Sequence, residues 1–362
     1  MSLSRQIDAA ALRHSLTTID RKLRNTFECA TAGREQRPTR PASCKRMYLM
    51  TTPPRSALVI LNAGSGAGGA EASREMITRV LRDAGMTVRC VTLAAGLDLD
   101  GEVQSAVRSG ASLVIAGGGD GTVNAVANCI RAHSVQLGIL PLGTLNHFAR
   151  DLGIPVDLEA ALSVIVDGHT EPVDAAEVNG RLFINNSSVG MYPRIVRLRE
   201  RYKGRWVGKW VVAAWATLRV TRSGSVLRVQ LSAEGVQVTR TTPLVFVGNN
   251  AYRMAGLDAG SRASVQGGAL GLYVVKTTGQ WRLLRLVWRI LARTAQRSGE
   301  LVMLTTASAT IDVPDDASVT RLEVAMDGEV VMLDLPLAYR SLPGALTLCV
   351  PRAGRRAASD QR

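Results

Sequence analysis

Residues 117–126 read GGGDGTVNAV and follow directly on the apolar run ASLVIA at 111–116. Three successive glycines, an aspartate, a fourth glycine and a threonine close what reads as a buried strand and open a helix. Gly117, Gly118 and Gly119 lack Cβ atoms and can take positive φ, so their backbone N–H groups can approach an anion closely. Thr122 then starts a helix whose N-terminal N–H groups and positive dipole end add to that attraction. Asp120 would repel a phosphate, so its chemistry points to a divalent cation carried by one. A plain turn with an aspartate cap needs one or two glycines, not four.

The surrounding pattern fits a ligand at a strand end. From SALVILN (56–62) the chain alternates strand, loop and helix. EASREMITRVLRDA (71–84) has helical spacing at Met76, Ile77, Val80 and Leu81, Gly85 stops it, and TVRCVTL (87–93) reads as a second strand. A helix through VQSAVRSG, the strand SLVIAG, the helix TVNAVANCIRA and the strand QLGILPL follow. Such repeats predict a parallel, helix-covered α/β sheet with ligand loops at the strands' C-terminal ends. After Pro172 the grammar changes to short alternating runs such as SVLRVQLSAEGVQVTR, TPLVFVGNN and TRLEVAMDGEVVML, which predicts antiparallel β structure.

Composition bounds the rest. The 362 residues are 46% apolar and 20% charged, enough for two cores and unlike a disordered chain. The net charge of +14 favours polyanions, and residues 194–228 concentrate it, with ten Lys or Arg against the single acid Glu200. The five cysteines are scattered with no CxxC or Cys/His cluster, which argues for a reducing compartment and against a disulfide framework or a zinc site. No apolar window of about 20 residues exists, and MSLSRQIDAA lacks a signal peptide's apolar core. A cytoplasmic protein is expected.

Two further glycine loops flank the first stretch. NAGSGAGG (62–69) satisfies GxGxxG through Gly64, Gly66 and Gly69. A dinucleotide fold also needs an acid closing the second strand, but that strand ends Thr92, Leu93, Ala94 and the next acid is Asp98. A phosphate loop of the GxxxxGK[ST] type is excluded, because the five lysines (Lys22, Lys45, Lys203, Lys209, Lys276) all lie outside the glycine loops. PLGTLNHFARDLGIP (141–155) again follows a buried strand and offers Gly143, Thr144 and Asn146 to a phosphate or an adenine. Two such loops at successive strand ends make a site.

GGDGTVN (118–124) followed by PLGTLNHFAR resembles the diacylglycerol kinase catalytic family of bacterial lipid kinases, kin of the sphingosine kinases. NNSSVGMYPRIV (185–196), VGNNAYRMAGL (247–257) and MDGEVV (326–331) extend the resemblance, which runs from about Ser56 to Pro351. It implies an N-terminal α/β domain with an NAD-kinase- or phosphofructokinase-like parallel sheet, and a C-terminal antiparallel domain like a β-sandwich. It implies ATP contacts at Asn62, Ser65, Gly66 and Thr92, at Gly118, Gly119, Asp120, Gly121, Thr122, Val123 and Asn124, and at Gly143, Thr144 and Asn146, with Asp120 the tether of Mg²⁺.

By itself the Asp327-Gly328 pair, between LEVAM and VVMLDL, reads as a two-residue hairpin turn. The resemblance adds catalysis, since the family carries its catalytic carboxylates in this Asp-Gly-Glu. A lipid hydroxyl holds its proton at neutral pH, so phosphorylating it calls for a carboxylate to accept the proton. Asp327 or Glu329 would be that base. Two positions depart from the family pattern: His147 stands where many relatives have aspartate, and Val265-Gln266-Gly267-Gly268 stands where relatives often carry a metal-binding Asp-Asp-Gly.

QWRLLRLVWRILARTAQR (280–297) lines Arg282, Arg285, Arg289, Arg293 and Arg297 along one helical stripe and Leu284, Val287, Trp288 and Leu291 along another. RYKGRWVGKWVVAAWATLRV (201–220) repeats the theme with Trp206, Trp210 and Trp215. Packing on their own sheet is one reading of both helices; docking on an anionic membrane is the other.

The expected organisation is a flexible leader (1–54), a nucleotide-binding α/β domain (55–171), a β-rich lipid-substrate domain with two amphipathic helices (172–352) and a basic tail (353–362). The expected activity is an ATP- and Mg²⁺-dependent lipid kinase of diacylglycerol or a similar lipid, cytoplasmic and peripherally membrane-associated. The rivals are a kinase of a soluble acceptor such as NAD, and a catalytically weak nucleotide- or lipid-binding regulator. No nucleic-acid recognition module is recognisable, and since relatives are often dimers a homodimer is admitted.

Overall fold

The structure is a computed structural model that describes residues 55–62, 70–201, 226–252, 262, 264–276, 301–314 and 319–352. All of these belong to the compact unit Pro53–Arg362. The leader, Gly64 to Gly69 of the first glycine loop with Ser65 and Gly66, most of the Trp/Arg stretches at 201–220 and 280–297, and the tail from 353 lie outside the described residues.

The first half is built as the alternation predicts. In chain order come β1 (Ser56–Asn62), α1 (Ala70–Asp83), β2 (Thr87–Leu93), α2 (Leu99–Arg108), β3 (Leu113–Gly118), α3 (Asp120–Ile130), β4 (Gln136–Pro141), α4 (His147–Asp151) and α5 (Leu158–Asp167). β1 pairs in parallel with β2 and β3, and β3 with β4. Leu58, Val59, Ile60, Leu113, Val114 and Ile115 are fully buried, because helices cover both faces of the parallel sheet. Local chemistry sets the helix ends. Asp98 accepts the Gly101 amide at 3.0 Å to cap α2, Asp157 accepts the Ala160 amide at 2.9 Å to cap α5, and Gly168 ends α5 in the left-handed region. Asp98 is therefore a helix cap.

The second half contains β5 (Thr170–Val178), β6 (Arg181–Phe183), β7 (Asn186–Gly190), α6 (Met191–Arg201), β8 (Leu227–Ala233), β9 (Val236–Thr242), β10 (Leu244–Asn249) and β11 (Leu270–Val275). It continues with β12 (Leu301–Thr306), β13 (Ser308–Asp312), β14 (Arg321–Met326), β15 (Glu329–Asp334) and β16 (Leu337–Cys349). An antiparallel sheet of order β12-β11-β10-β7-β14-β15 faces the extension of the first sheet, β16-β13-β8-β9. Val189, Val245, Val247, Leu272, Val324, Ile311 and Tyr339 fill the space between them. The fold is thus an α/β half with a mostly parallel sheet followed by a sandwich-like antiparallel half.

β16 joins the halves. It pairs antiparallel with β5 and β13, shifts register between Leu342 and Leu346, and then runs parallel to β4 at Thr347 and Leu348. β16 thus extends the sheet begun by β1 and carries it on to β13, β8 and β9, and Leu346, Leu348 and Val350 pack in the α/β core.

Candidate active site

Four strand ends meet at one edge of the parallel sheet: Asn62 closes β1, Thr92 lies exposed near the end of β2 opposite Leu61, Gly118 closes β3, and Pro141 closes β4. Asn62 Nδ2 donates to Thr122 Oγ1 at 3.1 Å, tying β1 to the first turn of α3. The glycines between them serve close approach and not unusual φ: none of Gly117, Gly118, Gly119, Gly121 or Gly143 has positive φ. A Cβ on Gly117 would run into Leu61, one on Gly118 into Thr122, and one on Gly143 into Gly119 Cα. This corrects the expectation of positive φ. The loops after β3 and β4 touch backbone to backbone, which leaves no room for side chains.

Gly119 caps α3 in extended conformation and supplies no side-chain bond to the helix's first amides. Val123 is buried in the core, so only its main chain can serve a ligand. In the third loop Asn146 takes φ 48° and turns its carboxamide inward, accepting from Gly143 N at 3.1 Å and donating to the Pro141 and Gly143 carbonyls at 2.9 Å each. Its side chain shapes the loop, while Thr144, Leu145 and His147 remain exposed. Asp120 reaches across from α3 to accept the His147 and Phe148 amides at 3.1 and 2.9 Å, capping α4 from outside it. Oδ2, which takes the His147 amide, keeps a lone pair for another partner.

The hairpin between β14 and β15 faces these loops. Asp327 (φ 48°) and Gly328 (φ 92°) form the two-residue turn, with Met326 paired to Glu329; two left-handed residues in succession suit the twist of the flanking strands. The Asp327 carboxylate accepts three backbone amides, from Ile184 at 2.7, Asn185 at 2.8 and Asn186 at 2.9 Å. With its amide oriented to satisfy both ends, Asn124 of α3 also donates to Asp327, at 3.2 Å. Burial pushes the Asp327 carboxyl up to about 6, against the opposing pull of those three amides and of Arg262. Glu329 is exposed and its side chain, among the described residues, makes no hydrogen bond; its Oε1 lies 3.6 Å from where a Cβ on Gly121 would stand. The second glycine loop and the Asp-Gly-Glu hairpin, about 200 residues apart in the chain, are therefore neighbours.

Four residues here were not singled out from the sequence. Arg262 is buried: its Nε donates to Asp151 at 2.7 Å, Nη1 to the Ile184 carbonyl at 2.7 Å and Nη2 to Asn185 Oδ1 at 3.1 Å, and the guanidinium lies 5.2 Å from the Phe148 ring centre. Asn185 Nδ2 approaches Asp120 Oδ1 at 3.5 Å. Tyr252 donates to the Asn185 carbonyl at 3.2 Å, and burial pushes its hydroxyl up to about 12. Asn185, Tyr252 and Asp151 lie inside stretches quoted above, 185–196, 247–257 and 141–155, without a role of their own, while Arg262 lies outside every quoted motif.

Comparisons with known proteins match the chain in two successive parts. The diacylglycerol kinase catalytic domain matches residues 56–178, and the YegS C-terminal NAD kinase beta sandwich-like domain matches residues 188–350. A "Probable lipid kinase YegS-like" protein of Serratia proteamaculans is 44% identical over 149 residues, 40% of this chain and 48% of that one. A "Diacylglycerol kinase" of Staphylococcus epidermidis is 36% identical over 150 residues, 39% and 45% of the two chains. The chain spans about half the length of the curated relatives it matches. A solved candidate diacylglycerol kinase from Bacillus anthracis superposes with a TM-score of 0.65 at 25% identity, over 83% of this chain and 99% of that one. Matched in succession along residues 56–350, the chain carries a region similar to the diacylglycerol kinase catalytic domain followed by one similar to the YegS C-terminal NAD kinase beta sandwich-like domain.

Proposed function

We propose that the protein is a lipid kinase that moves the γ-phosphoryl group of ATP to a hydroxyl of diacylglycerol or a similar lipid. The observation that carries this reading is the meeting of two abutting glycine loops with an exposed carboxylate, Glu329, 3.6 Å from the Cβ position of Gly121. The domain that matches residues 56–178 supports placing the nucleotide on the α/β half, within residues 55–171, and the acceptor on the half from 172 to 352.

In this reading the main-chain amides at the start of α3 and after β4 hold the phosphates, and the uncapped helix end favours their charge. Asn62 and Thr122 keep the β1 end against α3, and Thr92 and Thr144 border the nucleotide; Ser65 and Gly66, the further contacts the resemblance implies, lie outside the described residues. Asp120 suits Mg²⁺: its Oδ2, which among the described residues accepts only the His147 amide, keeps a lone pair for a hard cation. Mg²⁺ is commonly bound by one or two carboxylates, completed by phosphate and water oxygens. Bound there, it would neutralise charge on the phosphates. Glu329, whose side chain has no hydrogen-bond partner among the described residues, accepts the proton of the acceptor hydroxyl as the new O–P bond forms and the bond from the γ-phosphorus to ADP breaks, while Asp327 holds residues 184–186 beside Asp120.

The Arg- and Trp-bearing stretches at 201–220 and 280–297 support peripheral docking on anionic membrane, and no helix among the described residues is long and apolar enough to cross one. A radiolabelled-ATP assay against extracted lipids, diacylglycerol and NAD, resolved by thin-layer chromatography, tests the proposal. Labelled phospholipid is expected, and label in NAD alone would overturn it. In a parallel sedimentation assay, anionic vesicles are expected to bind more protein than neutral ones, with salt weakening the difference.

A further inference from the structure

Two amide groups lie between one buried cation and the two carboxylates that face each other across the site. The Ile184–Asn185 peptide takes Arg262 Nη1 on its carbonyl at 2.7 Å and gives its N–H to Asp327 Oδ1 at 2.8 Å. The Asn185 carboxamide takes Arg262 Nη2 on Oδ1 at 3.1 Å and turns Nδ2 toward Asp120 Oδ1 at 3.5 Å. In each case the guanidinium sits at the oxygen end of an amide dipole and a carboxylate at its N–H end. A positive charge at the oxygen end polarises the amide and strengthens its N–H as a donor.

We propose that Arg262 is a positioning residue that holds Asp120 and Asp327 in their mutual arrangement by acting on both through Asn185. The fork of the guanidinium matters, because two nitrogens must serve two diverging amide oxygens at once while Nε is spent on Asp151 at 2.7 Å. A lysine would keep the charge and lose that geometry. The elements brought together belong to both halves of the molecule: Asp120 and Asp151 lie on α3 and α4, Asn185 precedes β7, and Asp327 turns between β14 and β15. The charged and titratable groups around Asp327 are Arg262, Tyr252, Asp151, Asp120 beyond Asn185, and Glu329 on its own hairpin. The catalytic consequence rests on the kinase reading above; the arrangement of the carboxylates does not.

The test uses the full chain with magnesium ATP and mixed diacylglycerol/anionic vesicles, and compares wild type with Asn185→Ala, Arg262→Lys and Arg262→Gln. Asn185→Ala removes one relay and leaves the other; kcat is expected to fall about tenfold, within the range for supporting residues behind functional carboxylates, with an unchanged melting temperature. Arg262→Lys is expected to lose kcat to a similar or greater extent. A second readout needs no substrate: protein labelled with ¹³C at aspartate carboxyls is titrated, with the Asp327 signal assigned by its loss in Asp327→Asn. Its midpoint is expected to rise in Arg262→Gln, where the stabilising charge is gone, and to rise far less in Arg262→Lys. A folded Arg262→Gln protein whose Asp327 midpoint stays in place, or an Asn185→Ala protein with wild-type kcat, overturns the assignment. If Arg262→Gln does not fold, Asn185→Ala and Arg262→Lys decide it through kcat. Wild-type protein that phosphorylates no lipid but shows the midpoint shift would instead break the kinase reading and leave this positioning role standing.

Discussion

The two walls of the site are made in opposite ways. The wall on the α/β half consists of main chain: Gly143 gives up a side chain so that its loop can touch Gly119, Gly118 gives one up to Thr122, and α3 begins with no side-chain cap. The wall on the antiparallel half consists of side chains saturated by long-range bonds: Asp327 with three amides, and Arg262 with Asp151, Ile184 and Asn185. Glu329 is the exception there, its side chain exposed and without a hydrogen bond among the described residues. Anion binding needs donors left over after folding, and a backbone at a helix start provides them locally. Holding a carboxylate at a set place and charge needs partners, and those come from anywhere in the chain.

Substitutions sharpen this contrast. The largest effect is expected at Glu329, where Gln keeps the shape and removes the proton acceptor: kcat should fall about 100-fold or more, with the urea midpoint unchanged. Asp327→Asn should differ in kind, since its amide nitrogen would meet a backbone N–H as donor against donor, and unfolding should cost about 2 kcal/mol less than in wild type. Equal unfolding midpoints for the two variants would erase the distinction drawn between the carboxylates.

The second effect is pH-dependent. Asp327 binds its proton more tightly folded than unfolded, since its carboxyl is raised to about 6 from 3.8. Its contribution to stability is therefore fully present below about pH 4, where both states are protonated, and is lost as pH rises through about 6, by on the order of 2–3 kcal/mol. Urea unfolding from pH 4 to 8, compared between wild type and Asp327→Ala, isolates that slope. A difference independent of pH would contradict the raised value.

The third concerns the other wall. Gly143→Ala pushes a methyl into Gly119 and should separate the loops, costing about 1–3 kcal/mol of stability and abolishing calorimetric binding of magnesium ATP. Gly121→Ala meets Glu329 only at ordinary contact distance and should fold as wild type. If both variants bind nucleotide equally, the close approach of the loops is not what makes the site. The smallest effect lies outside both walls: Asp98→Ala removes the α2 cap and should cost about 1 kcal/mol with kcat untouched, as expected if that acid holds no ribose.

Much of the α/β half was legible in order, because each strand, turn and helix there is decided by residues close in sequence. Continuous apolar runs give buried parallel strands, and Gly85 stops its helix within its own turn. The Asp327-Gly328 hairpin was legible for the same reason. The purpose of the glycines was misread, because φ is a local property whereas the approach of Gly119 to Gly143 depends on how two loops pack.

By itself, then, the order of residues determined the alternating units, the antiparallel second half, the glycine-lined strand ends and the hairpin turn, all of which follow from spacings of a few residues and from backbone preferences. Only the tertiary structure decided that β16 returns beside β4 to link the parallel strands to β13, that Asp120 caps α4, and that Glu329 comes to stand beside Gly121. Arg262 had no periodicity or motif around it, and its role exists only because burial strips water from the guanidinium and leaves Asp151, Ile184 and Asn185 as its partners.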